Sequence, residues 1–278
     1  VTCNFLWRIY RETFTLLEFS QLGRYRSDVE FWEEFADEFI RRASRPETDR
    51  YTTWQLSKIL PDLDKSSIVV DLGCGFGRLT LVIAQYVRKV YAIDQCFKLL
   101  RYLREKASVL ADKIEVLCAR WDNIEPILAR IKPDVAVISH SFDVDDVCSA
   151  LQPIIQHVRK AIHIFVDFYP FLFKECYRAL LRITKLKVRG LLLSPAALIF
   201  LALTSLDVTP RVDITIRTVR VPIEKLEEFL TSRFSHVLPL HKGEFKRAFT
   251  QEVLKEAEIS EGQVELTRVI AHIHWRKS

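Results

Sequence analysis

Three of the seven glycines in this 278-residue chain, Gly73, Gly75 and Gly77, fall within five positions, directly behind the apolar run that ends in Asp71. Alternate glycines after a strand permit a turn that any Cβ would obstruct, either by forbidding positive φ or by colliding with what lies against the backbone. A helix expected from Arg78 onward would turn its N-terminal amides to the same place, and the loop is read as having unblocked amides of its own. Such a loop holds a cofactor. The dinucleotide fingerprint G-x-G-x-x-G is excluded, because Arg78 stands where its third glycine belongs, and the triphosphate pattern G-x-x-x-x-G-K-[ST] is absent. Asp94 ends the next strand-like run, "KVYAID", and adds a carboxylate close to the loop.

Other residues offer chemistry with less definite meaning. "VISHSF" places Ser139, His140, Ser141 and Phe142 at the end of a fourth strand, on the sheet edge where open α/β sheets bind ligands. His140 is read three ways: a base, a hydrogen-bonding partner of the substrate, or a satisfied structural histidine. "CARWDN" offers Trp121 and Asp122 after the third strand, with a helix N-cap as the alternative role for Asp122. His272 and His274 share one side of a strand but lack a third ligand, so no metal is expected. The six cysteines (3, 74, 96, 118, 148 and 176) form no C-x-x-C pair, and reduced thiols are the expectation.

The elements that must position these groups alternate. "YRSDVEFWEEFADEFIRRAS" has apolar residues at helical spacing, with Ser27 and Glu30 as a capping box. Thr52 and Gln55 form a second box at the start of "TWQLSKIL". From residue 66, "SIVVDLG", "KVYAIDQ", "KIEVLCA", "PDVAVISHS" and "AIHIFVDF" read as strands, with helical "GRLTLVIAQYV", "CFKLLRYLREKASVL" and "VCSALQPIIQHVR" among them. That rhythm implies βαβ units and a parallel sheet. Residues 169–206 interrupt it with two helical stretches, and "RVDITIRTVRV", "PIEKLEEFLTSRF" and "VELTRVIAHIHWR" finish the chain.

"VVDLGCGFGRLT" followed by "VYAIDQ" resembles the class I S-adenosylmethionine-dependent methyltransferases over roughly residues 50–168. The resemblance implies a doubly wound, seven-stranded, mostly parallel α/β sheet whose last strand inserts antiparallel. The chain is read as an N-terminal helical region over 1–65 and a methyltransferase domain over 66–278, with 169–206, after strand five, as a helical lid insertion. The implied cofactor is S-adenosylmethionine, whose aminoacyl tail and sulfonium suit a loop without phosphate-binding side chains. Its implied contacts are Asp71, Gly73, Cys74, Gly75, Gly77, Asp94, Gln95, Trp121, Asp122 and Ser139, with Asp94 accepting the ribose hydroxyls and Asp122 beside the adenine. His140 is the candidate catalytic residue. The family more often carries its acid at the position of Arg120, a departure here.

The acceptor is less defined. The apolar stretch "GLLLSPAALIFLALTSL" points to a small or lipid-like molecule if it lines a cavity, and is otherwise core or a dimer face. Lys174, Arg178, Arg182, Lys185, Lys187 and Arg189 would suit RNA if they track phosphates, and are otherwise solvated helix charges. RNA or protein methylation is therefore the alternative, and a non-catalytic S-adenosylmethionine-binding protein a third. The motifs of adenine amino-group methylases and of cytosine C5 methylases are absent. A formal charge of +5 selects no partner, and the lack of a long apolar run or signal-like N-terminus reads as cytoplasmic without membrane insertion. Tyr169 and Phe171 are expected to face the acceptor. The oligomeric state is left open.

Overall fold

The computed structural model describes residues 29–43, 46–142, 144, 146–169, 173–183, 194–234, 238, 240 and 242–277, with the side chains of 42–49 excepted. They divide into two compact units, one of residues 29–165, 206–211 and 273–277, the other of 166–205 and 212–272.

The first unit opens with helices α1 (Val29–Ala43) and α2 (Pro46–Ile59), and a 3-10 turn over Leu60–Asp62 follows. Strands β1 (Ile68–Leu72), β2 (Lys89–Asp94), β3 (Ile114–Cys118), β4 (Val135–Ser139) and β5 (Ala161–Asp167) alternate with helices α3 (Arg78–Ile83), α4 (Phe97–Lys106), α5 (Glu125–Ile131) and α6 (Val147–His157). β1 pairs in parallel with β2 and β4, β2 with β3, and β4 with β5. The strands are continuous apolar runs because both faces are covered: Val69, Val70, Val90, Val135, Val137 and Ile138 are all fully buried. Register decides what meets at the carboxyl edge. Leu72 lies beside Ile93 and Ile138, so the glycine loop, Asp94 and Ser139 leave the sheet at one level.

Below the strands, the buried ring of His163 lies 3.2 Å from Asp62 Oδ2, and Arg276 Nε donates to Asp62 Oδ1 at 2.6 Å. Burial opposes the Asp62 charge, yet these two partners hold its carboxyl well below the usual range.

The second unit holds α7 (Lys174–Ile183), α8 (Pro195–Ser205), β6 (Arg211–Pro222), α9 (Leu226–Phe234), α10 (Gly243–Glu256), β7 (Glu258–Ser260) and most of β8 (Gln263–Arg276). Arg178 and Arg182 of α7 both pair with Glu256 of α10. Glu175 is 3% exposed and accepts the Thr267 amide at 2.7 Å. In α8, Pro195, Ala196, Leu198, Ile199, Ala202 and Leu203 are buried, which makes most of this apolar stretch core.

The sheet order is β3-β2-β1-β4-β5-β8-β6. The Phe168 amide donates to Val269 and the Lys277 amide to Lys160, so partners advance along β5 as they retreat along β8. The last strand is therefore inserted antiparallel, as expected. Among the described residues the count is eight strands rather than seven, because short β7 pairs antiparallel with β8 across Glu261 and Gly262, whose φ values of 51° and 73° suit a two-residue hairpin. Three exposed residues, "EIS", give no periodic signal, and sequence reading passed over them. It also passed over α5 and α10.

One helix start needs correction. Thr52 and Gln55 are not a capping box, since α2 begins at Pro46 and both lie inside it. Their side chains are committed elsewhere. Ser27 of the other expected box lies outside the described residues.

Candidate cofactor and acceptor site

Each glycine of the loop answers a different physical demand. Gly73, Gly75 and Gly77 all have positive φ, at 68°, 57° and 84°. A Cβ on Gly73 would fall 2.2 Å from Ser141 Cβ, and one on Gly77 would fall 2.2 Å from Leu103 Cδ1. These two glycines let β4 and α4 pack against the loop. Among the described residues, a Cβ on Gly75 would meet Phe39 alone, in ordinary contact at 3.5 Å. At this position no described neighbour forbids a side chain.

The reading of unblocked loop amides is corrected. The amides of Gly73 and Cys74 both donate to the Ile93 carbonyl, at 2.8 and 3.0 Å, and that of Gly77 donates to Cys74. The Gly75 amide donates to Asp94 Oδ2 at 2.8 Å. Successive amides are drawn to the neighbouring strand because the tight turn lies over its end. What the loop offers a ligand is close approach rather than a nest of amides.

Asp94 also accepts the Cys96 amide on Oδ1 at 2.8 Å, so one carboxylate fixes both the glycine loop and the start of α4. Burial raises its pKa, the backbone donors oppose this, and nearby Glu33 adds to the rise. The Gln95 amide is a third backbone donor to Asp94, and the carboxylate keeps one acceptor direction for a hydroxyl donor. Glu33, on α1, itself accepts the Phe97 and Lys98 amides at the head of α4.

Asp71 is 2% exposed and accepts the Thr80 hydroxyl at 2.6 Å, an arrangement that ties α3 to β1. Burial pushes its pKa up to about 6. Burial also pushes the Cys74 thiol well above its ordinary value, which keeps it protonated. Gln95 is half-buried, and its carbonyl lies 3.7 Å from Cys118 Sγ. Trp121 is half-buried and meets Phe142 edge-to-face at 5.1 Å. Asp122 is exposed, 3.4 Å from Arg120 Nε, inside a 3-10 turn whose N-cap is Arg120; the N-cap alternative is thereby removed.

At the end of β4, Ser139 accepts from Gln55 Nε2 at 2.8 Å and from Arg78 Nη2 at 3.3 Å. Arg78 also donates to Thr52 Oγ1 and Gln55 Oε1, each at 2.7 Å. His140 is exposed with φ 55°, a conformation costly for a non-glycine residue and often found at functional sites. Its amide donates to Phe165, and its Nε2 shares a 2.5 Å hydrogen bond with the hydroxyl of buried Tyr51. The Arg78 guanidinium lies 5.3 Å from the centre of the Tyr51 ring.

Sequence reasoning missed Tyr51, Thr52 and Gln55 as members of this cluster and used Arg78 only to exclude a fingerprint. The available signal was the helical spacing of Tyr51, Thr52 and Gln55, which puts three polar side chains on one face beside Ile59. Phe39, in contact with Phe76 at 5.6 Å, was read only as an apolar helix position. Phe171 lies outside the described residues.

Residues 69–161 match the family described as "Methyltransferase domain". This stretch, a third of the chain, is similar to the class I, S-adenosylmethionine-dependent methyltransferase domains. A Methanothermobacter thermautotrophicus protein named "Probable cobalt-precorrin-6B C(15)-methyltransferase (decarboxylating)" is 42% identical over 59 residues, 21% of this chain and 31% of that relative. The match therefore spans about a third of the relative's length. Among solved structures, the YcgJ protein from Bacillus subtilis superposes with a TM-score of 0.57 at 9% identity, over 81% of this chain and 100% of that one. A geranyl diphosphate methyltransferase in complex with S-adenosylmethionine gives 0.50 at 12% identity, over 83% and 86%. These are likenesses of fold. The matched stretch takes in the glycine loop, Asp94 and the end of β4 together, and class I methyltransferases use S-adenosylmethionine. Among the described residues, no helix is long and apolar enough to cross a membrane.

Proposed function

We propose that the chain is an S-adenosylmethionine-dependent methyltransferase acting on a small-molecule acceptor. The observation that carries this is the space before Gly75, bounded by Phe39 and set beside the Asp94 carboxylate. A cofactor with an uncharged ribose diol and a compact aminoacyl tail fits that donor set; a phosphate facing Asp94 does not. In this reading Gly73 to Gly77 admit the methionine portion, Asp94 accepts a ribose hydroxyl, and Trp121 and Asp122 border the base. Cys74, Gln95 and Ser139 complete the surroundings, with Asp71 bracing the loop through Thr80. The cofactor supplies an already activated methyl group, so the chain's task is alignment more than acid–base chemistry. His140, steadied by Tyr51, is placed to accept a hydrogen bond or a proton from the acceptor.

A small acceptor is supported by the names of relatives, which include precorrin and geranyl diphosphate enzymes. The RNA reading loses support because Arg178 and Arg182 are engaged by Glu256. Lys185, Lys187 and Arg189 lie outside the described residues.

Calorimetry with S-adenosylmethionine and S-adenosylhomocysteine tests the cofactor, and a panel of small acceptors with labelled methyl donor tests transfer. Binding without transfer to any acceptor would favour the non-catalytic reading. Asp94→Ala should weaken binding by about 1.5–3 kcal/mol, the scale of hydrogen bonds to a charged group, with further loss from the released Gly75 and Cys96 amides. Unchanged affinity would remove Asp94 from the site.

A further inference from the structure

Three successive amides open α4, and carboxylates from two different elements take them. The Cys96 amide donates to Asp94 Oδ1 at 2.8 Å, the Phe97 amide to Glu33 Oε1, and the Lys98 amide to Glu33 Oε2 at 3.3 Å. The positive end of the helix eases the repulsion between two such charges. Glu33 is held in place by its own helix as well. The Lys98 ammonium donates to the Glu33 carbonyl at 2.8 Å, and Ala36 is buried in one cluster with Cys96 and Leu99. Farther along α1, Phe39 meets Phe76 of the glycine loop at 5.6 Å. α1 is thus fixed against the same loop and strand end that Asp94 serves.

This anchoring keeps a second negative charge beside Asp94. Its reach shows in the neighbouring groups: Glu33 adds to the rise of the Asp94 pKa, in which burial is the largest cause. Burial also pushes up the Cys96 thiol, to about 12, and the Cys118 thiol; Glu33 and Asp94 add to both, and Arg104 opposes them at Cys118. We infer that Glu33 makes the proposed cofactor site selective for charge, favouring the sulfonium of S-adenosylmethionine over the uncharged thioether of S-adenosylhomocysteine. This rests on the cofactor reading of the glycine loop and Asp94. A single methylene separates the sulfonium from the ribose ring, so a charge fixed beside Asp94 acts on it at short range. On transfer the S–CH3 bond breaks with its electron pair left on sulfur, and the positive charge departs with the methyl group to the acceptor. The attraction to Glu33 is lost with it, so the spent cofactor is held less tightly than the fresh one.

Calorimetry on the full chain gives the ratio of two dissociation constants, that of S-adenosylhomocysteine over that of S-adenosylmethionine. Glu33→Gln keeps an oxygen for the α4 amides and removes the charge. It should lower the ratio about three- to tenfold, chiefly by weakening S-adenosylmethionine. Sinefungin, an analogue with an amine-bearing carbon in place of the methylated sulfur, should lose affinity in step with S-adenosylmethionine, which separates charge from contact with the methyl group. Glu33→Asp keeps the charge and should hold the ratio within about twofold of the parent's. A ratio unchanged in Glu33→Gln, whether both ligands weaken or neither does, would make Glu33 a clamp between helices and overturn the inference, with the cofactor site still standing. A parent protein that bound neither ligand would overturn the cofactor reading, and this inference with it.

Discussion

Gly75→Leu is expected to abolish binding of S-adenosylmethionine and S-adenosylhomocysteine in a protein that still folds. Among the described residues the leucine Cβ would meet Phe39 alone, at 3.5 Å, so its cost to stability there comes from the positive φ, about 1–2 kcal/mol. The rest of the side chain would occupy the space assigned to the cofactor. Gly77→Leu is the control. It carries the same backbone strain, and in addition its Cβ would collide with Leu103 Cδ1 at 2.2 Å, adding about 1–3 kcal/mol of overpacking between α3 and α4. Thermal melting and calorimetry on both variants separate the two roles. Gly75→Leu should lose binding with a modest drop in melting temperature, and Gly77→Leu should melt much lower. Retained affinity in Gly75→Leu would show that the open space beside Asp94 is not where the cofactor lies, and the proposed site would fall with it.

Asp71→Asn should stabilise the protein increasingly as pH rises from 4 to 7. Burial lifts the folded pKa of Asp71 from 3.8 to about 6, with the Asp94 charge adding to the rise and Thr80 and Arg78 opposing it. The folded state therefore binds the proton more tightly than the unfolded chain. The group favours folding fully below pH 3.8; that contribution is lost as pH rises to about 6, and above this the buried charge costs about 3 kcal/mol. An asparagine keeps an acceptor for Thr80 and carries no charge. The difference in unfolding free energy between variant and parent should be flat below pH 4, should grow by about 3 kcal/mol toward pH 7, and should then level off. The parent's own curve is a poorer test. Asp62, with its pKa depressed, contributes stability that is present above pH 3.8 and lost on acidification, so the two groups act in opposite senses. A pH-independent difference would mean that Asp71 titrates normally.

The sequence by itself determined the alternation of strands and helices from residue 66, the parallel centre of the sheet and the glycine turn that follows its first strand. Those signals are local: β-branched runs where both faces are buried, and glycines where the backbone adopts positive φ. It also picked out Asp94, because a strand end close behind such a loop has few other uses for a carboxylate. Only the tertiary structure decided why each glycine is needed, since Ser141 and Leu103 approach from other elements far along the chain. It decided that the loop amides are already bonded, because their partners belong to the end of β2. It turned Thr52 and Gln55 from an apparent cap into partners of Arg78 and Ser139, since a box pattern is two residue types three apart and cannot reveal a helix that started earlier. The burial of α8 was equally hidden, because an apolar run reads the same whether it lines a cavity or fills a core. Hydrophobic periodicity reports that a face will be covered. What covers it is settled by residues distant in sequence, and by the register in which β1, β2 and β4 bring their ends to one level.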